Sequence, residues 1–199
     1  MKPILFNTEM VRAILEGRKT ETRRVVKFPE GMTGRLPTNA NDHLFYPCGI
    51  KYPPYKKGDI LYVRETWASF RGWMWGPKYV YKAGYDPKQL PAAAYTTKWN
   101  WRPSIHMPKE AARIFLRVTD VHAERLRDIT EADAVKEGLY KGWRLSGRGS
   151  LALSARQAFM WLWETVTRDG PAYKTWACNP WVWVIEFEKL TSDAQIPCD

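Results

Sequence analysis

The chain has 199 residues with a hydrophobic content of 45%, which suffices for one well-filled core and excludes an intrinsically disordered chain. Its formal net charge of +10, together with eleven Trp and ten Tyr residues, favours a partner that carries phosphates or nucleobases. No apolar run is long enough to span a bilayer and the N-terminus lacks the pattern of a secretory signal, so we expect a cytoplasmic protein without a membrane partner.

Cysteine and histidine are too scattered to form an obvious site. The three cysteines and three histidines stand apart, without the spacing of a zinc site or of a disulfide framework. We therefore expect reduced thiols and no bound metal.

The N-terminal segment predicts a strand, a helix and a second strand. Residues 4–6 form the first strand, and Asn7 or Thr8 caps a helix that ends at Gly17. The apolar stripe of this helix consists of Met10, Val11, Ile14 and Leu15. Residues 20–26 follow as a strand.

Two long irregular segments interrupt the middle of the chain. Residues 27–57 and 84–110 are rich in Pro or Gly and are predicted insertions. Between and after them, alternating side chains predict strands over 60–67, 78–83 and 112–121. In the first of these strands, the side chains that share one face are Leu61, Val63 and Glu65.

The C-terminal half predicts two helices and a closing strand. Thr130 and Asp133 form a capping-box-like pair at the start of the first helix, which ends at Gly138. The second helix covers 153–166, and its predicted inner stripe consists of Phe159, Leu162, Trp163 and Val166. A nearly continuous apolar strand over 181–188 is predicted to be central.

Strands and helices mingle without a repeat or a regular βαβ order. The predicted fold is therefore α+β, with a mixed or antiparallel sheet curled into a small β-barrel and flanked by helices. We expect one domain over residues 1–190 and a polar tail over 191–199.

The stretch Gly17-Arg18-Lys19-Thr20-Glu21-Thr22-Arg23-Arg24 carries the densest chemistry in the chain. If the backbone is extended from Thr20 onward, Thr22 and Arg24 face the same side, because strand side chains alternate. The Lys19 ammonium, the Thr22 hydroxyl and the Arg24 guanidinium would then converge on an anionic or polar planar ligand. The alternative interpretation is a solvated basic turn between helix and strand.

Further ligand contacts are predicted in two segments. Arg64, Glu65 and Trp67 lie close in sequence, so the carboxylate would read a base edge while the indole stacks on the base. A structural ion pair beside a core tryptophan is the alternative. Ser104 and His106 lie in a proline-bounded loop that would fold over the ligand, and a surface histidine is the alternative there.

Several of these features together resemble the ASCH domain, a branch of the PUA-like superfamily. They are the first strand and helix, the pattern Gly17-x-Lys19-x-x-Thr22-x-Arg24, the Gly58-Asp59 turn before a strand, and the closing strand rich in Trp and Val. Many members of the family carry Glu where this chain has Thr22. The threonine variant is similar to the small bacterial N4-acetylcytidine amidohydrolases, whereas the two insertions look like those of larger ASCH proteins of phages and prophages.

The resemblance to the amidohydrolases implies a catalytic set of Lys19, Thr22 and Glu137. Glu137 belongs to the set because residues 130–137 match the family segment T-E-x-x-A-x-x-E. The implied roles are a Thr22 nucleophile, a Lys19 base, and a Glu137 that orients the lysine or the leaving amine. Arg24 would stabilise developing charge or grip a sugar or phosphate. Nearby arginines would favour the neutral amine that a base requires, whereas a Glu137 carboxylate beside Lys19 would favour the ammonium.

The implied reaction is removal of an acyl group from a modified cytidine, without a metal or an organic cofactor. Two other functions fit the same residues: a non-catalytic reader of RNA or of a modified base, and a ribonuclease. In each case the expected partner is a modified nucleoside or RNA, and the protein is expected to be a monomer.

Overall fold

The computed structural model describes residues 1–27, 53–69, 78–86, 99–140 and 154–191. Most of the predicted insertion over 27–57, residues 87–98 of the insertion over 84–110, and nearly all of the predicted tail over 191–199 lie outside the described residues.

The described residues contain seven β-strands and three α-helices, interspersed with short 3-10 turns. In chain order they are β1 (Lys2–Leu5), α1 (Thr8–Leu15), β2 (Glu21–Val25), β3 (Ile60–Arg64), β4 (Trp67–Ser69), β5 (Tyr79–Tyr81), β6 (Phe115–Arg125), α2 (Glu131–Lys136), α3 (Ala155–Thr167) and β7 (Trp181–Lys189). The bounds of β6 differ from the predicted ones, because it begins at Phe115 and continues to Arg125 where the sequence predicted a strand over 112–121.

Five of the strands form one mixed sheet in the order β1-β3-β6-β7-β2, and β4 pairs with β5 separately. β1 runs parallel to β3, whereas the β3–β6 and β2–β7 pairs are antiparallel. This sheet with its helices confirms the predicted α+β class. Since β1 and β2 each have one neighbour among the described strands, those strands do not close the predicted barrel. β7 lies between β6 and β2, which confirms its predicted interior position.

The chain divides into two compact units. The first comprises Met1–Thr20, Gly58–Arg117 and Phe187–Asp199, and the second comprises Glu21–Lys57 and Val118–Glu186. β6 and β7 each contribute residues to both units. The single domain over 1–190 stays a prediction.

In the first unit, α1 forms as its local sequence predicts. The Asn7 side chain accepts a hydrogen bond from the Met10 backbone N–H at 2.9 Å, and it thereby satisfies one of the donors left free at a helix start. The helix buries Val11 and Ile14 of the predicted stripe, whereas Leu15 is 36% exposed, so the prediction of a buried Leu15 is wrong. The chain leaves the helix at Gly17, whose φ of +74° lies in the left-handed region that favours glycine.

The predicted strand over 60–67 is interrupted. Its predicted shared face is confirmed, because Leu61, Val63 and Glu65 are all buried. β3 nevertheless ends at Arg64, and the Glu65 backbone N–H donates to the sulfur of Met107 at 3.2 Å instead of to a neighbouring strand. The chain therefore turns at Glu65 and starts a new strand at Trp67.

In the second unit, both helices begin with capping boxes. In α2 the Thr130 and Asp133 side chains each accept from the other residue's backbone N–H at 3.1 Å, as the sequence predicted. Ser154 and Gln157 make the same reciprocal pair at the start of α3. These helices pack on the sheet through an apolar cluster of Leu126, Ile129, Ala134, Leu139, Ala155, Ala158, Phe159, Val182 and Val184.

The prediction that one residue of α3, Val166, lies in the core is wrong. Val166 is 64% exposed, although its spacing places it on the same stripe as Phe159, Leu162 and Trp163. It lies one residue before the helix ends, beyond the reach of the apolar cluster. None of the helices in the described part of the chain is both long and apolar enough to cross a lipid bilayer.

Candidate functional site

The polar residues of β2 are buried in spite of their charge. Glu21, Thr22 and Arg23 are 1%, 1% and 3% exposed, so this segment is not the solvated basic turn that the alternative interpretation described. The predicted alternation is confirmed, because Arg24 Nη1 donates to Thr22 Oγ1 at 3.1 Å. The other face of the strand carries Glu21 and Arg23, whose side chains form a second set of contacts.

Arg23 is the centre of a buried ionic network, here called the Arg23 network. Its guanidinium lies 2.5 Å from Glu21 on β2 and 2.7 Å from Glu124 on β6. It also lies 3.3 Å from Glu137, the residue that follows the last turn of α2, and 4.0 Å from Asp133 within α2. Four carboxylates therefore surround one guanidinium that is almost fully removed from solvent.

Lys136 supplies a second cation to this network. Its Nζ lies 3.7 Å from Glu21, 3.6 Å from Glu186 on β7 and 3.8 Å from Asp133. Two cations thus face five carboxylates. The network is locally acidic in a protein whose formal net charge is +10.

The pKa values of the network reflect this imbalance. Burial alone would lower the pKa of Arg23, but the carboxylates of Glu137, Glu21 and Glu124 outweigh burial and raise that pKa. Burial also raises the pKa of Glu21, and Arg23 opposes that shift only in part because Glu137 and Asp133 add negative charge nearby. Arg23 therefore stays charged, while the Glu21 carboxylate accepts a proton more readily than an ordinary glutamate.

Arg24 links the Thr22 hydroxyl to the network. Burial lowers the pKa of Arg24, and the negative charge of Glu137 opposes that shift. Glu137 thus acts on both arginines, through a 3.3 Å ion pair with Arg23 and through its field at Arg24. We call Thr22, Arg24 and Glu137 the β2 site. It unites three of the nine predicted site residues in one unit.

Lys19, the remaining residue of the predicted catalytic set, belongs to the first unit. It is buried, at 2% exposure, and its Nζ lies 5.6 Å from the centroid of the Phe6 ring. Its backbone N–H donates to the Ala13 carbonyl at 3.0 Å, so the end of α1 fixes where this lysine leaves the helix. A long ammonium side chain held over an aromatic ring in the interior is unusual for a turn lysine.

The predicted contact residues of the first unit lie around a second ion pair. Arg113 binds both carboxylate oxygens of Glu65, at 2.8 and 3.0 Å, and its guanidinium carbon lies 4.2 Å from the centroid of the Tyr81 ring. Burial raises the pKa of Glu65, and the hydrogen bonds and charge of Arg113 oppose that shift. A base edge would have to displace Arg113 in order to reach this carboxylate.

The other predicted contact residues are held mainly by structural interactions. Trp67 is 4% exposed and pairs with Arg102 through an antiparallel bridge. The Arg64 guanidinium donates to the Ile105 carbonyl, between Ser104 and His106 in a short 3-10 turn. His106 is exposed and Ser104 is half-buried. The structure therefore brings Arg64 to the Ser104–His106 turn, and it directs Trp67 into the core of that unit.

Sequence analysis missed Glu124 as a partner of Arg23, and it named Glu137 for a catalytic role without predicting its ion pair with Arg23. Glu124 and Glu137 lie 101 and 114 residues from Arg23 in the chain, so no local pattern joins them. One signal was available: if Thr22 and Arg24 share a face, Glu21 and Arg23 share the opposite one. Within the described residues, no group of three or more His, Cys, Asp or Glu side chains is arranged to hold a metal ion.

Comparison with known proteins found no match for this chain among protein-family models, curated proteins or solved structures. The chemistry of the β2 site therefore rests on its own groups. A buried hydroxyl beside a half-buried guanidinium, with a carboxylate fixed in the same unit, is suited to stabilise negative charge that develops on an oxygen atom.

Proposed function

We propose that the chain is an ASCH-type, PUA-like β-barrel protein that removes an acyl group from an N4-acylated cytidine. The observation that carries the proposal is the 3.1 Å hydrogen bond from Arg24 to the buried Thr22 hydroxyl, in the unit that also holds Glu137. These residues coincide with the motif that resembles the amidohydrolases. The high net positive charge supports a nucleoside or RNA as the partner.

The Thr22 hydroxyl is the proposed nucleophile. Arg24 fixes its oxygen and would stabilise the negative charge that grows on it as its proton leaves. Within the described part of the second unit, no side chain accepts the proton of this hydroxyl. The sequence motif assigns that proton to the amine of Lys19, which stands three positions earlier in the chain.

The proposed reaction has two balanced steps. Thr22 Oγ1 bonds to the acyl carbon, the bond from that carbon to N4 breaks, and the proton taken up by Lys19 passes to N4, so that cytidine leaves. Water then adds to the threonine ester and releases a carboxylic acid, which regenerates the hydroxyl. No cofactor enters either step.

Glu137 is the proposed group that orients the leaving exocyclic amine. Its ion pair with Arg23 holds the carboxylate in a defined position, and this position is further fixed because Arg23 is anchored by Glu21 and Glu124. A carboxylate held by a rigid partner loses little entropy when it accepts an N–H bond from a ligand. The Arg23 network is thus proposed to position the reacting groups.

The test is to incubate the protein with N4-acetylcytidine and to measure cytidine by chromatography. We expect turnover in the parent protein, a loss of about a hundredfold or more in Thr22→Val, and retained turnover in Thr22→Ser, because serine keeps the hydroxyl. Lys19→Ala is expected to abolish hydrolysis while ligand binding persists.

Other outcomes select the rival functions. Binding of acylated nucleosides without turnover of any of them would refute the hydrolase and favour a reader of modified bases. RNA cleavage that depends on Lys19 would favour the ribonuclease. Thr22→Val with full hydrolytic activity would show that another group is the nucleophile.

A further inference from the structure

A surface cavity of about 330 Å³ lies in the second unit, and it shares no residue with the β2 site or the Arg23 network. Its lining consists of Arg127, Ser154, Arg156, Gln157, Met160 and Trp176. Its volume falls near the lower end of the range for small-molecule sites, and it combines two cations with an indole ring.

Arg127, the first arginine of the cavity, donates hydrogen bonds to backbone carbonyls from one edge of its guanidinium. Arg127 Nε donates to the Trp176 carbonyl at 3.0 Å, and its Nη2 donates to the Ala177 carbonyl at 2.8 Å. Its backbone N–H donates to the Asn179 side chain at 2.8 Å. These bonds fix the guanidinium plane, although the residue is exposed.

The second arginine repeats this arrangement. Arg156 Nε donates to the Ile129 carbonyl at 2.9 Å, and its Nη2 donates to the Arg127 carbonyl at 2.8 Å. Its guanidinium carbon lies 5.6 Å from the centroid of the Trp176 ring. In both arginines, Nη1 is the nitrogen that has no hydrogen-bond partner among the described residues.

The backbone amides at the start of α3 are not the free donors of this cavity. The Glu131 carboxylate accepts from the N–H groups of Ala155 at 2.6 Å and Arg156 at 3.1 Å. The Gln157 N–H donates to Ser154 Oγ at 3.2 Å. Any anion in the cavity would therefore be bound by the two Nη1 groups.

We propose that this cavity binds the phosphate of a nucleotide, with the nucleobase packed against Trp176 and Met160. Arginine Nη groups are strong donors to phosphate oxygens, and side chains that are already immobilised lose little further entropy on binding. An indole at the edge of the same cavity offers a surface on which any nucleobase can pack. This inference does not depend on the proposed hydrolase function.

Isothermal titration calorimetry of the full chain tests the proposal with four ligands: cytidine 5′-monophosphate, cytidine, inorganic phosphate and a short single-stranded oligoribonucleotide. We expect the monophosphate to bind more tightly than either cytidine or phosphate alone. Equal affinity for cytidine and its monophosphate, or no binding of the monophosphate, would overturn the proposal.

A substitution that adds a charge to the cavity tests whether the monophosphate binds there. Replacing either arginine would also remove bonds to the backbone, so the informative variant is Gln157→Glu. Glutamate is the preferred residue at this position of a capping box and keeps the bond to Ser154, while it adds a negative charge to the cavity. We expect the affinity for the monophosphate to fall about tenfold in this variant.

The matched control is Val166→Glu, which adds the same charge to the same helix at a position that does not line the cavity. It should leave the affinity within about twofold, since an exposed charge at a distance is screened. Equal losses in the two variants would overturn the location. The oligonucleotide identifies the source of the phosphate: tighter binding than the monophosphate indicates RNA, and equal binding indicates a free nucleotide.

Discussion

Each unit pairs an arginine with buried carboxylate groups, but the two units balance the charges differently. In the first unit, one guanidinium, that of Arg113, binds both oxygens of one carboxylate, that of Glu65. In the second unit, the single guanidinium of Arg23 has four carboxylates within 4.0 Å, and Lys136 brings only one further cation into contact with them.

This difference distinguishes a structural ion pair from a cluster whose excess charge is suited to binding or catalysis. The Glu65–Arg113 pair is neutral and geometrically complete, so its role is to hold β4, β5 and the chain near Arg113 together. An acidic excess in the interior attracts protons and hydrogen-bond donors, and such groups accumulate at functional sites more often than elsewhere. Burial is the main cause of the raised pKa of Glu21, and the negative charges of Glu137 and Asp133 add to it.

The largest expected effect follows from removing the central cation of the Arg23 network. Arg23→Met leaves several buried carboxylates without their main partner, so we expect the free energy of unfolding to fall by about 3–5 kcal/mol. Urea denaturation followed by circular dichroism measures the loss. Arg23→Lys keeps the charge but not the planar fork and should fall between parent and Arg23→Met. A loss of less than about 1 kcal/mol in Arg23→Met would show that the network is not a stabilising unit.

A smaller effect is expected from the matched change in the first unit. Arg113→Met leaves only one carboxylate, that of Glu65, without its cationic partner. The Arg113 side chain is 33% exposed, so water weakens the ion pair that is lost. We expect a loss of about 2–3 kcal/mol at neutral pH, measured by the same denaturation.

The pH dependence of Arg113→Met sharpens the comparison. The pKa of Glu65 is raised by burial, and Arg113 opposes that rise, so its removal raises the pKa further. A raised pKa in the folded state means that the folded protein binds a proton more readily than the unfolded chain. The deficit of the variant should therefore shrink as the pH falls through the folded-state pKa of Glu65. A deficit that is constant from neutral to acidic pH would contradict this assignment.

The smallest effect is expected at the rim of the Arg23 network. Burial would raise the pKa of Asp133, but hydrogen bonds from Thr130 and the charges of Arg23 and Lys136 prevail and lower it. Asp133→Asn removes the charge and should cost about 0.5–1 kcal/mol at neutral pH. Because the folded-state pKa is lowered, this cost is full above the ordinary pKa of aspartate and disappears as the pH falls through the folded value. Thr130→Ala should show part of the same pH dependence, because the Thr130 hydroxyl donates to the Asp133 carboxylate and is itself a cause of the lowered pKa.

Local features of the fold were predictable from the sequence, and long-range ones were not. The cap at Asn7, the left-handed Gly17 and the Thr130–Asp133 box each depend on a few neighbouring residues, so their patterns identify α1 and α2 directly. Val166 fits a helical stripe equally well, but its exposure depends on whether another element reaches the end of α3. The break at Glu65 depends on a sulfur atom from residue 107, which no alternation pattern includes.

The candidate site shows the same division. The shared face of Thr22 and Arg24 follows from strand geometry alone. The burial of Arg23 was not predicted, because a run of cations usually faces water and its counter-charges come from β6 and α2, more than a hundred residues away. Glu21 and Thr22 therefore point to opposite faces of β2. The sequence analysis considered only the face of Thr22.

The bond between Glu131 and the start of α3 makes two helices depend on each other. Glu131 is the first residue of α2, yet its carboxylate accepts hydrogen bonds from the first backbone N–H groups of α3. Unwinding α2 would thus also expose the N–H groups of the other helix, and it would withdraw Glu137 from Arg23 at the opposite end. We expect both helices to open as one cooperative segment, with matched protection factors in native-state hydrogen exchange. The Glu137 carboxylate would then be held beside Arg23 only in molecules in which this segment is closed.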